Sequence, residues 1–192
     1  ALGGLIGNMV SGKSDKGKGT AIGAAIGTAV GAGVGVLIGK KMDKAKAQAE
    51  AIKAAQVESV EDANGLQAVK VTFDSGILFD LNSSTLKSAA RTSLTEFSNV
   101  LKNNTDMDVA IFGHTDKTGT LEVNQRVSLQ RAQSVQSYPK GQGVADDQMV
   151  TVEGKDYQEY DDTKSAAENR RVEIYLYASK EMIEAANNGT LQ

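Results

Sequence analysis

An aspartate, a histidine, three threonines, an asparagine and two arginines crowd into the stretch from Ile111 to Arg131, IFGHTDKTGTLEVNQRVSLQR. The acid closes an apolar run, and a short polar turn, Lys117 to Thr120, follows it. A helical pattern comes next and sets Asn124 and Arg131 roughly two turns apart. Asp116 can accept hydrogen bonds from an ammonium, and Arg131 can fork onto a carboxylate with two parallel ones. Such a pair suits a small ligand that carries both charges. A structural ion pair between Asp116 and Arg131 is the competing reading. His114, Ser128 and Asp116 also raise the question of a nucleophilic triad. Ser128, however, lies mid-helix without a strand-to-helix elbow, and no oxyanion arrangement accompanies it. The chemistry therefore reads as binding and not catalysis, with His114 a satisfied side chain beneath the loop.

The same residues form an ordered set. Gly113 to Asp116 (GHTD) is followed by Thr118-Gly119, then Asn124, Val127-Ser128, Arg131-Ala132 and Val135, and finally Asn169 to Ile174 (NRRVEI). Upstream lies Phe73 to Asp80, FDSGILFD. Spread from about Val71 to Ile174, this set resembles the OmpA/MotB peptidoglycan-binding domain. The resemblance implies that Asp116 and Arg131 hold the diaminopimelate end of a peptidoglycan stem peptide, which carries an ammonium and a carboxylate on one carbon. It implies that Asn124 orders the loop and lines the pocket; an amide that satisfies the turn's backbone groups is the compatible plain reading, and Thr118 and Gly119 are read as supplying backbone geometry. Arg170 is the further candidate, expected to meet Asp80 or the Asp116 loop. Two departures stand out. Pro139 replaces a leucine, so the helix is expected to stop near Tyr138. The loop from Lys155 to Glu168 is shorter than in the family, with Asp161-Asp162 a solvated turn.

Composition divides the chain. Twelve of the 20 glycines precede Lys40, and all nine aromatics lie at or beyond Phe73. The first 56 residues hold eight lysines and three acids, +5; the remainder holds 13 basic and 21 acidic residues, −8, giving the net −3. The basic flank suits a membrane surface, and the acidic remainder argues against nucleic acid as partner. With no cysteine and one histidine, the chain offers no disulfide, no thiolate site and a poor basis for zinc. No metal and no cofactor are expected. The opening Ala1-Leu2-Gly3-Gly4 reads as a processed or trimmed start.

Glycines recur every fourth residue from Gly23 to Gly39, each preceded by a β-branched residue: Ile22, Ile26, Val30, Val34 and Ile38. On a helix this makes a smooth groove beside a ridge. Glycine costs up to ~1 kcal/mol per helical position in water, and close helix approach in lipid offsets it. Thr20 to Gly39 is uncharged and, at about 30 Å as a helix, long enough to span. Residues 1–39 read as a glycine-zipper hairpin, with an Ala-rich, charged extension continuing to about Val57.

The expected division is thus 1–56 zipper hairpin and extension, 57–66 acidic linker, and 67–192 OmpA-like domain. Within the domain, alternation marks strands at Leu66–Phe73, Met107–Phe112, Gln148–Glu153 and Arg170–Tyr177. Helical spacing marks two main helices, from the N-cap candidates Asn82–Ser84 to Lys102 and from Glu122 to Tyr138, with a short one at Lys180–Ala186. The fold class is α/β; the resemblance implies an α+β sandwich of the OmpA C-terminal type, a mixed four-stranded sheet with two main helices on one face. The function expected is a non-enzymatic tether at the periplasmic face of the outer membrane. Its partners are the peptidoglycan stem peptide, membrane lipid through residues 20–39, and zipper helices of the same or a neighbouring protein. The alternative is a subunit of an oligomeric membrane ring or pore in which wall binding is secondary. An ion-conducting stator would need an acid within its span, and residues 20–39 have none.

Overall fold

In the computed structural model, residues 22, 23, 25 and 29–192 are described. The chain runs α1 (Val34–Glu50), β1 (Gln56–Glu61), β2 (Gln67–Asp74), the single turn α2 (Ser75–Leu78), α3 (Ser88–Asn103), β3 (Met107–Gly113), α4 (Leu121–Gly141), β4 (Met149–Gly154), the single turn α5 (Ala166–Asn169), β5 (Arg171–Ala178) and α6 (Lys180–Asn187). The strands make one sheet in the order β1-β2-β5-β3-β4. All pairings are antiparallel except β3 with β4.

Alternation sorts the side chains. Val69, Val71 and Phe73 of β2, Val109 and Ile111 of β3, and Val172, Ile174 and Leu176 of β5 share one face and one core with the helices. Leu94, Phe97 and Leu101 bring α3 onto it, Ala132 and Val135 bring α4, and Met182 and Ile183 bring α6. The opposite face holds a smaller cluster, Ala68, Ala110, Phe112, Tyr175 and Tyr177, capped by Ile22.

The sheet has five strands, not the four expected. The stretch expected as a linker, 57–66, is β1 and its hairpin turn, with Val57 opposite Val71 and Glu61 opposite Gln67. The Asp62 carboxylate accepts from the Asn64 and Leu66 amides at 2.8 and 3.0 Å and closes the Asn64-Gly65 turn. An edge strand has solvent on one side and tolerates charge, so its acidity hid it. α3 starts later than the N-cap candidates because Phe79 pairs with Leu86 and keeps the intervening chain extended. α4 continues past Tyr138 with Pro139 inside its last turn. So close to the end, proline removes only its own bond, and Gln142 still donates to Tyr138 O at 3.1 Å.

α1 changes the expected division most. Val34, Ile38, Met42, Ala45 and Ala49 form one buried stripe in the core of the domain expected at 67–192. Lys41 meets Asp106 at 2.6 Å, and the Asn104 amide donates to Gln48 at 2.8 Å. Residues 34–39, the end of the expected span 20–39, are therefore docked on protein. The stretch left, 20–33, is about 21 Å long as a helix, short of the ~30 Å of a bilayer core. No described helix is long and apolar enough to cross a membrane. The rest of the expected hairpin, residues 1–21, 24 and 26–28, lies outside the described residues.

Ile38 is fully buried, so Ile38→Ala is expected to lower stability by about 2–5 kcal/mol; a urea unfolding midpoint unchanged from wild type would place α1 off the domain. Asp108, half-buried on β3, has its carboxyl pushed up to about 6 from 3.8, by burial first and then by Glu181 and Asp147. A raised carboxyl binds its proton more tightly when folded, so stability falls as pH rises through that window. Asp108→Asn is expected to raise Tm at pH 7.5, with the gain largely gone at pH 4. An equal gain at both would contradict the burial of this charge.

Candidate functional site

β3 ends at Gly113, and the next three residues, His114, Thr115 and Asp116, are all buried. Backbone bonds pin them: His114 N–H donates to Arg171 O at 2.9 Å and Thr115 N–H to Asp156 O at 2.8 Å. Asp116 is 5% exposed. Its Oδ1 accepts from the Thr118 amide at 2.8 Å and from the Thr118 hydroxyl, and Oδ2 accepts from Arg170. Burial alone would raise the Asp116 carboxyl; these bonds outweigh it and hold it below the usual carboxylate range. Asn124 donates to Thr118 O at 2.9 Å, so the first turn of α4 ties down the loop that shapes the acid.

Arg131 stands apart from that cluster. It is 6% exposed, its Nε donates to Ser83 O at 3.1 Å, and its guanidinium lies 5.3 Å from the centre of the Phe79 ring. Among the described residues no carboxylate comes within the 4.0 Å of an ion pair with Arg131. Burial, then repulsion from Arg170, lowers its pKa, and Asp116 partly opposes them. The competing ion pair Asp116–Arg131 is thus not formed.

Of the site candidates, Asp116, Thr118, Asn124 and Arg170 are joined by direct hydrogen bonds, and Arg131 faces them across the loop. Arg170 meets Asp116; Asp80 instead pairs with Lys87 at 3.4 Å. The Arg170 side chain remains 37% exposed. Its position depends on Asn169, fully buried, whose amide donates to Asp161 O at 3.0 Å and Ser165 O at 2.9 Å. That knot, with the Ser165–Glu168 capping box, folds the 155–168 loop behind the site. Ser83, Phe79 and Asn169 were not picked out as site residues from the sequence, although Phe79 and Asn169 fall within the motif segments FDSGILFD and NRRVEI.

His114 is not the satisfied side chain expected. It points to the opposite sheet face, where neither ring nitrogen has a hydrogen-bond partner and Nε2 lies 3.3 Å from Glu173. Glu173 also takes Arg171 at 2.7 Å, Lys70 at 3.2 Å and the Tyr175 hydroxyl at 2.8 Å. Burial alone would raise Glu173, but His114, Lys70 and Arg171 hold it well below the usual range. With Glu159, His114 and Glu173 offer ligand atoms within 4.8 Å of one another. The two cations already on Glu173 disfavour a third, so the group reads as an ion-pair network. Ser128, the other would-be triad member, donates to Gln125 O at 3.0 Å and accepts from the Asp156 amide at 3.2 Å. Both contacts are structural.

A mixed sheet with its helices on one face, and a buried aspartate loop facing an arginine from the following helix, define an OmpA-like domain. The chain matches the model of the OmpA family over residues 78–174 and the glycine zipper over residues 1–46, and it belongs to the OmpA family. It is 34% identical to Probable lipoprotein YiaD of Escherichia coli K12 over 179 residues, 91% of this chain and 78% of that protein. It is 35% identical to the Peptidoglycan-associated lipoprotein of Pseudomonas aeruginosa, over 60% of this chain and 67% of that one. The fold is shared with a MotB-like protein from Desulfovibrio vulgaris at TM-score 0.62 and 19% identity, covering 76% of this chain and 97% of that one.

Proposed function

We propose that the chain is a non-enzymatic cell-envelope tether that binds diaminopimelate-type peptidoglycan at Asp116, Arg131, Asn124, Thr118 and Arg170. The observation that carries this reading is Arg131, a nearly buried guanidinium with no carboxylate partner among the described residues. Burying an unpaired charge is costly, and a ligand carboxylate removes that cost. It would also relieve the repulsion between Arg131 and Arg170. The ligand ammonium goes to Asp116, which Thr118 holds ionised and oriented.

The relatives named above, two of them lipoproteins by name, support an envelope role; the proposal sets it at the periplasmic face of the outer membrane in a Gram-negative cell. Since Val34 and Ile38 are in the domain core and Ile22 is buried over the opposite sheet face, lipid or helix contact falls to the remaining zipper residues. Burial of Ile22, Val34 and Ile38 also removes three ridge residues from any assembled ring, which favours the tether over the ring or pore subunit.

The test is co-sedimentation of the whole chain, in detergent, with purified diaminopimelate-type sacculi. The chain is expected in the pellet and released by millimolar free diaminopimelate. Pelleting that is indifferent to the competitor, or no pelleting, would contradict this function.

A further inference from the structure

A polar groove of about 620 Å³ opens beside the site, between the loop after Ser83, the start of α3 and the outer side of α4. Resting on the wall-binding reading above, we propose that this groove takes the sugar-proximal part of the same ligand. The free carboxylate of the second stem residue meets Arg91, and the N-acetylated amino sugar lies over Gln133 and Tyr138.

The groove and the amino-acid site are built on neighbouring residues of the same two segments. Ser83, which holds Arg131, is followed by the lining residue Ser84, and Gln130 flanks Arg131 itself. Ser134 locks the two walls together by donating to Ser84 O at 2.6 Å, and the Tyr138 and Thr95 hydroxyls are bonded at 2.9 Å. Lengths agree. From Arg131 to Tyr138 is seven helical residues, about 10 Å. Two extended stem residues and the lactyl link to the sugar, at about 3.3–3.6 Å each, cover about the same distance.

The lining chemistry selects the occupant. Ser84, Thr85, Gln130 and Gln133 offer uncharged donors and acceptors that suit sugar hydroxyls and N-acetyl amides. The lone cation, Arg91, has no described carboxylate within the 4.0 Å of an ion pair. A protein partner would need an apolar centre, and nucleic acid would need several cations.

Calorimetric titration of the whole chain with free diaminopimelic acid, the L-Ala-D-Glu-diaminopimelate tripeptide and the disaccharide-tripeptide tests this. Affinity is expected to rise along the series, with the last at least ~10-fold tighter than the first. Arg91 and Gln133 are exposed, so R91Q and Q133A should fold normally. R91Q is expected to abolish the gain from acid to tripeptide, and Q133A to reduce the gain on adding the disaccharide. Neither should change binding of free diaminopimelic acid. Equal wild-type affinity for all three ligands overturns the groove assignment but leaves the amino-acid site standing. A gain carried wholly by the tripeptide overturns the sugar contact, and gains retained in both variants overturn the lining residues. Failure of the wild-type chain to bind any of the three removes the wall-binding reading itself.

Discussion

Gly113→Ala is expected to destabilise the domain severely. Gly113 ends β3 directly beneath α4, and a methyl group there would overlap the Ser128 carbonyl, with the carbonyl carbon only 2.9 Å away. The obstacle is backbone, so no rotamer change relieves it. A methyl group added at Gly154 on the neighbouring strand would likewise lie 2.5 Å from the Leu129 amide nitrogen. Together the two glycines let α4 lie against β3 and β4. Overpacking costs about 1–3 kcal/mol when side chains can adjust and more when they cannot. We therefore expect a loss of at least ~3 kcal/mol, a large part of an ordinary domain's stability, and a Tm lower by at least ~6 °C. Because α4 also carries Arg131, any surviving fold should hold that side chain away from Asp116 and bind ligand poorly. A Gly113→Ala variant melting within 2 °C of wild type, on the scale of that shift, would show that α4 does not sit where the structure puts it.

The second large effect is on binding. Asp116→Asn keeps the shape of the loop and removes the charge opposite the ligand ammonium. Arg131→Lys keeps a charge but loses the planar fork and the stacking on Phe79. Charge-assisted hydrogen bonds contribute about 1.5–3 kcal/mol each, and an unpaired buried partner adds to the loss. Each variant is expected to bind a diaminopimelate-containing muropeptide at least ~10-fold more weakly. Folding should survive in both, since Arg131 makes no ion pair among the described residues and Asn can still accept from Thr118. Wild-type affinity in two well-folded variants would remove these residues from the site.

Much of this site was legible in the sequence because its signals are local. Asp116, Thr118 and Asn124 lie within nine positions, and an acid that caps its own turn is recognisable from spacing alone. Arg170 lay farther away but next to a strand whose alternation was plain. Contacts made by backbone carbonyls were not legible: Arg131 is held by Ser83 O, to which any residue type could contribute. Neither was the role of Asn169, whose amide acts only after the 155–168 loop has closed around it.

The fold shows the same division. Val69, Val71 and Phe73 declare a half-buried strand, and Leu94, Phe97 and Leu101 a helix face. The stripe Val34, Ile38, Met42, Ala45 and Ala49 is as regular as either. Periodicity tells that a helix has an apolar face but not whether lipid or protein covers it. With glycines repeating through Gly39, lipid was the natural reading that far and water beyond it, and the docking of α1 on β2, α3 and α6 was hidden. β1 was missed because an edge strand needs little apolar alternation and this one is acidic.

In the proposed function, Asp116 and Arg131 together read an ammonium and a carboxylate at one end of a wall peptide. Lysine offers the ammonium without the carboxylate, so the most direct measurement is calorimetric titration of the wild-type chain with two stem peptides that differ only in this residue. We expect at least ~10-fold tighter binding of the diaminopimelate peptide, with Arg131→Lys erasing the preference and Asp116→Asn weakening both. Equal affinity of the wild-type chain for the two peptides would contradict it.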